Sequence, residues 1–159
     1  MTHVHRDPEG REILDGAIKV HRHIGPGLLE SSYEVCLHHV LSARGLRVER
    51  QVPVPIVFEG ITLDCGYRLD LFVNRAIIIE VKSVEKLLPI HTAQVLTYLR
   101  LSGARQVMLF NFNSVRLMDG MRSFLADGKQ SSHPPGFAGR RGEPPFPRAP
   151  GLGGSAAKP

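Results

Sequence analysis

Two charges interrupt the most apolar stretch of this 159-residue sequence. In Ile77-Ile78-Ile79-Glu80-Val81-Lys82, strand geometry with its period of two sends Glu80 and Lys82 to one face and Val81 to the other. Burying charge in such a strand costs several kcal/mol per ion unless the ion is paired or holds a metal. Asp70 lies in the apolar run just upstream, Tyr67-Arg68-Leu69-Asp70-Leu71-Phe72-Val73. Two carboxylates and an amine arranged in this way suit metal-dependent hydrolysis. Asp70 and Glu80 would supply hard oxygen ligands, which favour Mg²⁺ or Mn²⁺ over zinc. Lys82 would steady the negative charge that develops on a pentavalent phosphorus, or position the attacking water. The plainer alternative is a strand emerging into solvent, with Glu80 and Lys82 as a surface pair.

The elements that must position these groups follow from periodicity. Ile13, Leu14, Ala17, Ile18, His21 and Ile24 recur at helical spacing, and Gly25-Pro26-Gly27 ends that helix. A second helix is predicted from about Leu28 to Arg44, with Leu29, Tyr33, Cys36, Leu37, Val40 and Leu41 on one face and Gly45 as its stop. The period then changes to two. Val48, Val52, Val54 and Ile56 predict a strand, and Pro53 and Pro55 place it near a sheet edge. Glu59-Gly60 turns into a strand over 61–65, and another runs over 67–73. After Asn74-Arg75, residues 76–82 read as a buried central strand. Pro89 opens a helix running to about Leu101 and closed by Gly103, and two short strands over 106–112 and 115–118 finish the pattern. The predicted fold class is α/β or α+β, with helices covering a mixed sheet.

One constraint links this layout to the chemistry. Residues opposite each other in an antiparallel pair share a face. A two-residue turn at Asn74-Arg75 would pair position 70 with 79 and send Asp70 to the wrong side. An odd-length connection or a β-bulge is therefore predicted between Val73 and Ala76.

Asp70 followed by Glu80-x-Lys82 resembles the core of the PD-(D/E)XK nuclease superfamily. Gln94-Val-Leu-Thr-Tyr98 resembles the Q-x-x-x-Y element of its RecB-like branch, and Gly27-Leu-Leu-Glu30-Ser-Ser-Tyr33 matches the G-x-x-E-x-x-Y signature of a bacterial family of this type. The resemblance spans roughly residues 9–124. It implies a restriction-endonuclease-like core of about five strands flanked by helices, and phosphodiester hydrolysis with Mg²⁺ or Mn²⁺. By the same resemblance Glu30 completes an acidic cluster with Asp70 and Glu80. Gln94 and Tyr98, with Tyr33 in support, would then lie near the site and orient Lys82 or the nucleic-acid backbone. Leu69 stands where the superfamily's name has proline, a residue many members lack. The implied partner is nucleic acid, DNA ahead of RNA, and a homodimer is left open. The rival reading is a catalytically inactive module that keeps the fold to bind nucleic acid or protein.

Composition bounds these readings. The formal net charge is +5 and the isoelectric point about 9.6. Yet the last 32 residues carry five basic side chains against one acid, Glu143, together with seven Pro and seven Gly. Residues 127–159 are thus predicted to be a disordered basic tail, residues 1–8 a flexible start, and 9–126 the folded domain. The domain itself is close to neutral, which argues against a large DNA-gripping surface and favours the binding-module rival. No apolar run reaches the roughly 20 residues of a membrane helix. The polar start, MTHVHRDPEGRE, lacks the core of a signal peptide, so a cytoplasmic protein is expected. Two cysteines, Cys36 and Cys65, exclude a disulfide framework or a four-cysteine zinc site, and are expected as a buried residue and a strand residue. The histidine pairs at 3/5, 21/23 and 38/39 lack the i, i+4 spacing of helical metal ligands. Arg68 and Lys86 remain as lesser candidates for phosphate contact, and His91 as a lesser candidate for some role near the site.

Overall fold

The isoleucine run occupies the middle of a five-stranded sheet. In the computed structural model, which describes residues 7–126, three helices are present: α1 (Pro8–Ile24), α2 (Glu30–Ala43) and α3 (Pro89–Ser102). The strands are β1 (Val48–Pro53), β2 (Ile56–Phe58), β3 (Ile61–Leu63), β4 (Arg68–Val73), β5 (Ile77–Lys82), β6 (Gln106–Asn111) and β7 (Met121–Leu125). The main sheet has the order β1-β4-β5-β6-β7, while β2 and β3 form a separate hairpin. All neighbours in the main sheet are antiparallel except β5 and β6. A parallel step needs a long crossover, and α3 supplies it. The fold is thus the mixed α/β arrangement expected, with β5 central and the proline-bearing β1 at an edge. The expected tail over 127–159 lies outside the described residues.

Two apolar layers cover the sheet. Ile13, Ala17, Leu37 and Leu41 of α1 and α2 pack on Leu71, Val73, Ile77, Ile79 and Val81. Val95 and Leu99 of α3 pack on Phe72, Ile78, Val107 and Leu109 of the other face. Each layer removes several fully apolar side chains from water, worth roughly 1.5–3 kcal/mol per side chain. Glu80 and Lys82 share the parity of Ile78, so their charges project to the α3 side.

The β4–β5 connection meets the constraint set above. Leu71 pairs with Ile79, Phe72 with Ile78 and Val73 with Ile77, so three residues, 74–76, make the turn. Asn74 and Arg75 take left-handed conformations there, with φ of 49° and 52°. The pairing stops at Leu71 and Ile79, one step short of Asp70 and Glu80.

Several boundaries differ from expectation. Helix α1 starts at Pro8, because Asp7 caps it by accepting from the backbone N–H groups of Glu9 and Gly10, an end signal that apolar spacing does not carry. The predicted 48–56 strand is broken: pairing with β4 stops at Pro53, and the chain resumes at Ile56 in the hairpin. Leu29, placed on the buried face of the second helix, is 75% exposed, because it precedes that helix as its N-cap residue. Cys65 falls beyond the end of β3, exposed and outside any strand. The strand predicted over 115–118 is instead a connection. Val115 is exposed, Leu117 turns inward in a short 3₁₀ turn (Leu117–Gly120), and residues 121–125 make the pairing with β6.

Candidate functional site

The β4–β5 ladder ends at Leu71 and Ile79. Beyond that point a side chain takes over from the backbone: Asp70 Oδ2 accepts a hydrogen bond from the Val81 N–H at 2.8 Å. Beside it Glu80 is 3% exposed, and its Oε1 accepts from Lys82 Nζ at 2.9 Å. Glu80 Oε2 is buried and has no partner among the described residues. Buried acceptors are nearly always satisfied, so an orphaned carboxylate oxygen calls for an explanation.

The electrostatics follow from this crowding. Burial, reinforced by the charge of Asp70, pushes the Glu80 carboxyl up to about 7 against the pull of Lys82. Burial also raises Asp70, opposed by the Val81 N–H and Lys82. For Lys82, burial works against the ammonium, but the charge and hydrogen bond of Glu80 outweigh it and raise its pKa. Two desolvated carboxylates side by side thus resist ionising together, and one lysine does not fully offset them.

The remaining expected residues converge on this point from α2 and α3, in different roles. Glu30 is the first residue of α2, and its Oε1 accepts from the Ser83 N–H at 3.3 Å, just past the end of β5. Ser83 Oγ in turn donates to the Leu28 carbonyl at 2.6 Å. Tyr33 is fully buried, with its ring stacked on Phe112 at 4.5 Å between centroids. Its hydroxyl donates to the Gly25 carbonyl at 2.6 Å and accepts from the Leu28 N–H at 3.1 Å. Tyr33 therefore touches no carboxylate; it ties down the loop that aims Glu30. Gly27 in that loop has φ of 103°, a conformation that a side chain would strain. On α3, Gln94 Nε2 donates to the Tyr98 hydroxyl at 2.9 Å. Burial raises the Tyr98 pKa, and the charges of Glu80, Lys82 and Asp70 also act on it.

Glu30 and Asp70 open into a cleft of about 540 Å³, which Glu34, Gln51 and Ser83 also line. Glu80, Lys82, Tyr33, Gln94 and Tyr98 are not among its lining residues. Among the described residues no three His, Cys, Asp or Glu side chains form a ready-made metal cluster. The expected acidic trio is not closed among the described residues, and one oxygen of Glu30 accepts from the Ser83 N–H. Asp70 and Glu80 nonetheless fit a hard divalent cation: both are oxygen donors, and the orphaned Oε2 needs a positive partner.

Three participants carried no local signal strong enough to be found. Glu34, 5% exposed, pairs with Arg50 Nε at 2.9 Å and accepts from Gln51 Nε2 at 2.8 Å. Its one clue was its place four residues after Glu30, on the same helical face. Gln51 and Ser83 offered none. Two of the lesser candidates make backbone contacts instead. His91 Nδ1 accepts from the Leu88 N–H at the start of α3, and Arg68 donates to the Gln51 carbonyl. His21 bonds the Ser114 carbonyl at 2.8 Å.

A sequence profile described as the PD-(D/E)XK nuclease superfamily matches residues 7–124, nearly all of the described chain. No curated protein and no solved structure gives a match.

Proposed function

Since the chain belongs to the PD-(D/E)XK nuclease superfamily, we propose that it hydrolyses phosphodiester bonds of nucleic acid with a divalent cation, Mg²⁺ or Mn²⁺. Asp70 and Glu80 would hold the cation, with Glu30 supporting it directly or through water. The observation that carries this reading is the buried, unpartnered Oε2 of Glu80 beside Asp70. When bound, such an ion supplies Lewis-acid charge against phosphoryl oxygens.

The other steps belong to the chain's own residues. Lys82, with its pKa raised above an already high ordinary value, keeps its proton at neutral pH. It therefore acts as a fixed cation that steadies charge developing on the phosphorus, rather than as a base. Asp70 is oriented by the Val81 N–H, and Glu80 by Lys82. Tyr98, backed by Gln94, faces the same charges and helps orient Lys82 or the substrate backbone. Tyr33 keeps the Glu30 loop in place. The spacing Gly27-x-x-Glu30-x-x-Tyr33 supports placement in the G-x-x-E-x-x-Y group, and Gln94-x-x-x-Tyr98 supports the RecB-like branch. On that placement we take DNA ahead of RNA as the substrate and the cytoplasm as the compartment. No helix among the described residues is long and apolar enough to cross a membrane.

One observation favours a second reading, an inactive nuclease-fold binding module: among the described residues no three-ligand cluster stands ready, and one oxygen of Glu30 accepts from the Ser83 N–H. A cleavage screen over single-stranded, duplex and branched DNA and RNA with Mn²⁺ separates the two. The nuclease reading expects cleavage that Lys82→Ala reduces by roughly 10²-fold or more. Absence of cleavage on every substrate, with nucleic-acid binding indifferent to the cation, would establish the module instead.

A further inference from the structure

We propose that Gln51 is a positioning residue for Asp70, kept in a left-handed backbone conformation so that its amide stands between Asp70 and Glu34; the inference rests on the reading of Asp70 as a cation ligand. Gln51 has φ of 51°. The other three non-glycine residues with positive φ, Glu59, Asn74 and Arg75, lie in turns, whereas Gln51 lies inside β1. An L-residue with a long side chain rarely takes this conformation, and least often in an extended strand.

The consequence is visible in the ladder. Arg50 pairs with Leu71 and Val52 with Leu69, in one constant register, but Gln51 and Asp70 between them do not pair. No residue has been inserted, so this is not a bulge. Instead the ribbon rolls over at that point. Val48 and Leu71 pack in the layer under α1 and α2, while Val52 and Leu69, of the same respective parity, pack in the layer under α3. The roll frees Asp70 from the sheet, and its carboxylate takes the Val81 N–H instead.

The Gln51 side chain completes the arrangement. Its Nε2 donates to Glu34 Oε2 at 2.8 Å and lies 3.5 Å from Asp70 Oδ1. A neutral amide with two N–H groups can serve two anions at once, so Gln51 faces Oδ1 of Asp70 while the Val81 N–H holds Oδ2. Glycine would satisfy the backbone without strain but would place nothing between the carboxylates. Outer groups that orient a ligand typically change metal affinity or activity 10–100-fold when removed.

The test compares the full-length chain with Gln51→Gly and Gln51→Asn by three measurements: melting in EDTA, Mn²⁺ titration followed by melting temperature and cleavage, and exchange of the Val81 amide by NMR. In the Gly variant the relief of the left-handed backbone is offset by the lost bond to Glu34, so it is expected to melt close to the wild-type temperature. Its half-saturating Mn²⁺ concentration should rise roughly 10-fold or more, and its Val81 amide should exchange faster than its global stability allows. The Asn variant, whose amide is one methylene short, should fall between. A Gly variant with wild-type Mn²⁺ dependence and wild-type Val81 protection would overturn the proposal, as would a loss of Mn²⁺ affinity explained by a lower melting temperature. If the wild type itself ignores Mn²⁺, the cation reading of Asp70 fails, while the Val81 amide still decides whether Gln51 positions that carboxylate.

Discussion

Stability of the cation-free protein should fall as pH rises through the range in which Glu80 ionises. Its carboxyl titrates near 7 in the folded chain against an ordinary 4.5, because burial and the neighbouring Asp70 disfavour the charge. A carboxyl raised on folding means that the native state holds more protons than the unfolded state between these values. Stability is therefore fully present below about pH 4.5 and is lost progressively up to about pH 7. Each pH unit of complete differential protonation is worth about 1.4 kcal/mol. Clipped at its ends, the window from pH 5 to pH 8 removes ~2.5 kcal/mol. Glu80→Gln is nearly isosteric and cannot ionise. Lys82 stays charged throughout this range in either protein, so its lost partner adds a constant offset, and the difference in slope reports Glu80 and its effect on Asp70. Urea unfolding in EDTA at half-unit steps from pH 5 to 8 reads the difference. The gap between variant and wild type should change by ~2.5 kcal/mol, a midpoint displacement on the order of 1 M urea. Saturating Mn²⁺ should flatten the wild-type profile, because the bound ion holds the carboxylate ionised. Parallel pH profiles for the two proteins would refute the burial and charge argument altogether.

Other outcomes follow from the same contacts. Millimolar Mn²⁺ should raise the melting temperature of the wild type, by about 2.7 kcal/mol of stabilisation at a hundredfold excess over the dissociation constant, and Asp70→Asn should abolish the rise. Tyr33→Phe should cost about 1–3 kcal/mol in urea unfolding, since the Gly25 carbonyl and Leu28 N–H both lose their partner. It should also lower cleavage with little change in substrate affinity, as the loop before Glu30 loosens.

Legibility in the sequence tracked how local each cause was. The central strand could be read because three isoleucines followed by Glu80 and Lys82 have no comfortable place except a buried edge of chemistry. Helix α3 was framed by Pro89 and Gly103, and the turn before β5 could be constrained by parity alone. Val115 to Met118 misled because a short apolar run has no period of its own; what decides it is whether Met121 to Leu125 can reach β6, which is a tertiary matter. The Glu34 and Gln51 contacts were invisible for a related reason. They join segments 16–19 residues apart, across α2–β1 and β1–β4 seams that no repeat announces. Glu30 was found, yet its engagement with Ser83 was not, since a carboxylate at a helix start gives no hint of which loop will come to meet it.

The tight connection over 74–76 touches no reacting group, yet it is one of the least forgiving places in the chain for a change of length. Losing or gaining one residue there would rotate every side chain of one strand by half a turn, carrying Asp70 to the far side of the sheet and Leu71 into its place. A change of two residues would restore the alignment. Natural or engineered length variation in this hairpin should therefore come in even steps.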